Sequence, residues 1–213
     1  FDSGRCQWET PPPVPKESYC NQVIQGPCEE VLPALPEKFV DAVFVDPPYN
    51  IGVDYGDGAK ADQLPAEKYL DMIAHMIRES VKRLTERGSI WVLSPERWAD
   101  EIGLLLRELL PRRNRIIWRE TFGQYGESRF PNGHRHLFWH VKDMQQTPFN
   151  TDEIRAPSQR MLTGDSRAKG PRVPDDVWDI HRLTGNAQER AGGTACQLAE
   201  AHSRRAILSS HDA

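Results

Sequence analysis

Two short apolar runs stand out along the chain, Ala42–Val45 and Ser89–Leu93 (SIWVL), each bounded by turn residues. Unbroken runs of this length suit strands buried in a parallel sheet. Between them Leu70, Ile73, Ile77, Val81 and Leu84 recur at spacings of 3, 4, 4 and 3. That spacing is one face of a helix over residues 66–87, which Gly88 closes. Ser94 then fits an N-cap and Pro95 a first helical position, with Trp98, Ile102, Leu105, Leu106 and Leu109 as the next apolar face. Strand, helix, strand, helix predicts a parallel sheet covered on its faces, the first helix being a crossover between neighbouring strands.

Arg115–Arg119 (RIIWR) and Leu137–Val141 (LFWHV) read as further strands, separated by GQYGESRFPNGHRH. With no helix between them, they are expected to pair antiparallel at one sheet edge. Trp91, Trp118 and Trp139 fall in these strands and read as core. Arg112, Arg113 and Arg115 read as a solvated turn before the third strand. Upstream, Pro33 and Pro36 confine any helix to a turn or two. Residues 145–176 are polar, carry Pro148, Pro157, Pro171 and Pro174, and keep no period. The pattern divides the chain into a proline-rich tail (1–18), an α/β region (19–144), an irregular segment (145–178) and a late segment (179–213).

With 213 residues, 38% apolar and 27% charged, the composition is that of a soluble globular domain. A net charge of −4 excludes a bulk polycation and leaves room for a local basic face. The four cysteines form no CxxC pair, which fits a reducing cytoplasm. No segment is apolar enough to span a membrane as a helix. The chain starts at Phe1 without a signal-peptide pattern, so a start inside a longer protein is expected.

The candidate chemistry sits in DAVFVDPPYNIG, residues 41–52. A loop at the carboxyl end of a buried parallel strand is where open α/β sheets bind ligands. Asp46 offers carboxylate acceptors, Pro47 a carbonyl with no N–H beside it, Pro48 stiffness, and Tyr49 a flat aromatic face. Such a set can grip an exocyclic amine: Asp46 and the Pro47 carbonyl take its two N–H groups while Tyr49 stacks on the ring.

VDPPYNIG, followed by GSIWVLSP (88–95), RHLFWHVKD (135–143), FNTDEIRAPSQR (149–160) and DDVWDIHRLTGNAQERAG (175–192), resembles the amino-methylating DNA methyltransferases. The order of parts is similar to their β group, and the resemblance covers about residues 20–210. It implies a Rossmann-like, mostly parallel α/β fold and methyl transfer from S-adenosylmethionine to an amine of double-stranded DNA. Asp at the first motif position goes with adenine N6 in that family; cytosine N4 is the alternative. Asp46, Pro47, Pro48 and Tyr49 then carry catalysis, and Asp46, Cys28, Thr194, Cys196 and Gln197 fall where the family meets its cofactor. The family's glycine-rich cofactor loop is expected beyond SSHDA, and a shortened, non-catalytic DNA-binding copy is the competing expectation. The resemblance implies a cytoplasmic bacterial or phage protein of the restriction-modification type, with dimerisation left open.

Arg160, Arg167, Lys169 and Arg172 form a basic stretch expected to track DNA phosphates. His134, His136 and His140 alternate on one strand, but no acid or cysteine lies at useful spacing, so no metal is expected.

Overall fold

The computed structural model describes residues 16–56, 58–120, 127–185, 187–191 and 196–211. Of the proline-rich tail, residues 1–15 lie outside this set, as do residues 121–126 of the long loop between the third and fourth strands.

Helix α1 (Cys28–Ala34) precedes strand β1 (Val40–Val45), and helix α2 (Ala66–Arg83) leads directly into strand β2 (Leu84–Ser94). The helix is therefore shorter than its apolar period suggests, and Gly88 lies inside β2 rather than capping α2. Leu84 already has extended backbone and pairs with Val40, so sheet pairing ends the helix. β1 and β2 run parallel, with Ala42–Val45 opposite Ser89–Val92, as a crossover through α2 requires. Ser94 is the last residue of β2 and not an N-cap. A 3-10 turn (Glu96–Trp98) intervenes before helix α3 (Ala99–Leu109).

Strands β3 (Arg112–Arg119) and β4 (His134–Val141) pair antiparallel, and a two-residue strand β5 (Val177–Trp178) pairs parallel with β3. The sheet order is β1-β2-β4-β3-β5. β4 is antiparallel to both its neighbours, so four of the five strands point one way. The β3–β4 hairpin thus sits inside the sheet, with β4 docked on β2, rather than forming its edge. Arg112, Arg113 and Arg115 belong to β3; Arg113 donates to the carbonyls of Met144, Thr147 and Pro148 and ties the irregular segment to the sheet.

Alternation along β2 and β4 sorts side chains onto two cores. Ile90, Val92 and Phe138 pack with Ile73, Ile77, Ile102 and Leu106 beneath α2 and α3. Trp91, Leu93, Leu137 and Trp139 pack on the other face with Trp118, Trp178 and Ala206 of α5 (Glu200–Ser210). All three strand tryptophans are core, Trp91 and Trp139 stacking at 4.5 Å between centroids. Gly103 lets α3 approach the sheet closely, because a Cβ there would stand 3.1 Å from the Phe138 ring. Among the described residues, no helix is long and apolar enough to cross a membrane.

Candidate active site

β1 delivers Asp46, Pro47, Pro48 and Tyr49 to the carboxyl edge of the sheet, where neighbouring elements hold the loop by its backbone. The Tyr69 hydroxyl of α2 donates to the Pro48 carbonyl at 2.9 Å. Trp98 Nε1 donates to the Tyr49 carbonyl at 3.2 Å. From the described residues, no hydrogen bond reaches the Pro47 carbonyl, although Pro47 is buried.

Beyond Tyr49 the chain turns on Asn50, whose φ of 58° is left-handed, and on Gly52 at 83°. Asp62 anchors this turn. Its carboxylate accepts the backbone N–H groups of Asn50, Ile51, Gly52 and Val53 at 2.9–3.1 Å. The Asn50 side chain exchanges two hydrogen bonds with the Leu64 backbone. The left-handed φ of Gly52 is what favours glycine there, since the atom a Cβ would meet is the movable amide end of the Gln63 side chain.

The loop forms one wall of a cleft of about 360 Å³. Trp118, Glu120 and Arg135 form a second wall, and Arg182, Arg190, Cys196 and Gln197 a third. Tyr49 donates its hydroxyl to Asp46 Oδ1 at 3.2 Å, and the Arg135 guanidinium lies 5.3 Å from the Tyr49 ring centre. Arg135 also pairs with Glu120 at 3.5 Å. Asp46 is solvent-accessible, yet the surrounding walls desolvate it enough to raise its carboxyl, against the lowering effects of the Tyr49 hydroxyl and Arg135. Desolvation first, and the Asp46 charge second, push the Tyr49 hydroxyl well up, so it stays protonated.

Of the other sequence-predicted residues, Cys196 and Gln197 share this cleft with Asp46 across about 150 residues of chain. The Gln197 amide bonds the backbone of Glu189 and Ala191, fixing the wall. Thr194 lies outside the described residues. Cys28 opens α1 and packs against the α2–α3 core, away from the cleft. Arg160, Arg167, Lys169 and Arg172 are exposed around α4 (Gln159–Leu162), outside the cleft, and Arg167 pairs with Asp165 at 2.9 Å. Sequence reasoning missed Arg135, Glu120 and Asp62. Alternation along RHLFWHV could have placed Arg135 on the face opposite His134 and His136; nothing local marks the other two. A second cavity, of about 370 Å³ and walled by Trp91, Trp139, Trp178 and Phe149, shares no residue with the first.

A family described as DNA methylase matches residues 40–212, the whole sheet and both sides of the cleft. The chain belongs to this DNA methylase family. Among its relatives, the DNA adenine methyltransferase YhdJ of Escherichia coli K12 is 29% identical over 199 residues, covering 88% of this chain and 66% of YhdJ. The type II methyltransferase M.BglII of Bacillus subtilis is 28% identical over 210 residues, covering 84% of this chain and 53% of that protein. The chain thus spans less than two thirds of either relative. The PvuII DNA methyltransferase (cytosine-N4-specific) superposes with a TM-score of 0.49 at 13% identity, over 76% of this chain and 58% of that one.

Proposed function

We propose that the chain transfers a methyl group from S-adenosylmethionine to the N6 amine of an adenine turned out of double-stranded DNA. The observation that carries this reading is the meeting of Asp46–Tyr49 with Cys196 and Gln197 in one cleft at the carboxyl edge of the sheet. Family membership and the likeness to YhdJ, a DNA adenine methyltransferase, support it.

The chain's own groups suit an amine nucleophile. Tyr49 occupies Asp46 Oδ1, which leaves Oδ2 to accept one N–H of the amine. The Pro47 carbonyl, which accepts no hydrogen bond from the described residues, takes the second N–H, so the nitrogen lone pair is turned toward the methyl donor. Tyr49 offers a ring face to the base, which recovers part of the unstacking cost, at about 1–3 kcal/mol for base–aromatic stacking. Arg135 lies over one face of the Tyr49 ring and offsets the Asp46 charge.

S-adenosylmethionine supplies an electrophilic methyl group when bound. The Cys196–Gln197 wall opposite Asp46, which the Gln197 amide fixes to Glu189 and Ala191, would hold it. Cys28 is too remote to share that task. Residues 145–178 act as the target-recognition segment in this reading, their exposed Arg160, Lys169 and Arg172 following phosphates. The activity belongs to the bacterial cytoplasm, with a type II modification role suggested by M.BglII.

The test is incubation of the chain with methyl-labelled cofactor and duplex DNA, followed by nucleoside analysis. N6-methyladenine that disappears with Asp46→Ala supports the proposal. N4-methylcytosine as the product would refute the adenine assignment, and label on neither base would refute the transfer.

A further inference from the structure

On the sheet face opposite Arg135, three metal-ligating side chains converge. Glu96 opens the 3-10 turn after β2, and His134 and His136 begin β4. Glu96 Oε2 lies 3.2 Å from His134 Nε2 and also contacts His136 Nε2. One donor atom from each residue falls within 4.8 Å of the other two. His136 is buried, while the His134 and Glu96 side chains are 37% and 46% exposed, so the cluster has a closed wall and an open side. The proposed methyl transfer uses none of the three.

We propose that Glu96, His134 and His136 form a binding site for a divalent transition cation of the zinc, cobalt or nickel class. Two imidazoles and a carboxylate are a nitrogen–oxygen donor set that suits these ions, whereas Mg²⁺ and Ca²⁺ take all-oxygen shells. Three protein ligands leave a position for water on the open side. The ion would staple the start of β4 to the turn carrying Trp98, whose indole holds the Tyr49 carbonyl. Sequence spacing could not reveal the set, because Glu96 comes 38 residues before His134.

Arg115 opposes the ion. Its Nε–H donates to His136 Nδ1 at 3.1 Å, so in the neutral ring Nε2 carries the proton and turns it toward Glu96. Coordination through Nε2 needs that proton on Nδ1 and Arg115 swung aside. The guanidinium is only partly buried and Asp100 stands 3.9 Å away, so an alternative partner is at hand. Removing Arg115 should therefore strengthen the site.

Zn²⁺ titrated into tag-free chain at neutral pH and followed by calorimetry, with Co²⁺ followed by absorption, tests this. Saturable one-to-one binding is expected, without response to Mg²⁺. Glu96→Gln at an exposed position and His134→Ala at a half-buried one should weaken it by about tenfold or more, since even outer partners of metal ligands are worth 10–100-fold. Arg115→Gln should tighten it severalfold. Circular dichroism without metal checks that each variant is folded. Absence of saturable binding, or an affinity unchanged by Glu96→Gln and His134→Ala, would overturn the proposal. So would a near-ultraviolet thiolate band with Co²⁺, which would assign the ion to cysteine.

Discussion

Replacing Asp62 by asparagine should loosen the segment that follows the catalytic motif while leaving the rest of the sheet folded. Asp62 is 5% exposed, and its carboxylate accepts four backbone N–H groups, three of them on Oδ2. An asparagine can offer one oxygen to the three-donor seat, but its amide then confronts the Asn50 N–H. Hydrogen bonds to a charged acceptor contribute about 1.5–3 kcal/mol against about 0.5–1.5 for a neutral one. Three weakened bonds and one lost bond sum to roughly 6 kcal/mol at the midpoints of these ranges, and relaxation of the turn about halves that, to about 3. At 1.4 kcal/mol per decade, this corresponds to roughly a hundredfold faster exchange of the amides of residues 50–53. Native-state hydrogen exchange measures it directly. Asn50–Val53 amides exchanging as slowly in Asp62→Asn as in the parent chain would refute the anchoring argument. If the loop opens without global unfolding, β2 amides such as Ile90 and Val92 should keep their protection.

Tyr49→Ala should lower methyl transfer more than Tyr49→Phe, but Phe should not be silent. It keeps the ring and loses the hydroxyl bond to Asp46, so a rate equal to the parent would refute that bond's role. Glu79→Ala should destabilise the fold by about 3 kcal/mol in urea melts, because it leaves the buried Arg83 guanidinium, paired with Glu79 at 2.8 Å, only the Leu35 carbonyl; a loss under 1 kcal/mol would show Arg83 finding water. His202 is fully buried beside Trp118, and burial pushes its imidazole down to about 4. The unfolded ring protonates near 6.5 while the folded one stays neutral, so stability is full above that pH and falls between pH 6.5 and about 4, by up to roughly 3 kcal/mol. His202→Leu should flatten this stretch of the stability–pH curve, and an unchanged slope would refute the assignment.

The run of apolar residues from Ala42 to Val45 and the helical spacing between Leu70 and Val81 were enough to determine the β1–α2–β2 unit. The motif from Asp46 to Tyr49 was then bound to lie at its carboxyl edge. These features are local: burial fixes the period, and a crossover fixes direction and hand. The position of β4 was not legible, because antiparallel pairing with β3 says nothing about which strand β4 meets on its other side. Contact across the sheet decided that, through Trp91 stacking on Trp139 and Phe138 seated against Gly103. The end of α2 was likewise set by Leu84 joining the sheet, since an apolar residue at helical spacing serves a strand equally well. The deepest divide is in the sites. Asp46 and Tyr49 are neighbours in sequence and announce themselves, whereas Arg135, Asp62 and Glu96 act on residues 9–86 positions away. Only the folded chain brings such charges together, because Coulombic and hydrogen-bond partners are chosen by distance in space, and a sequence carries no record of that distance.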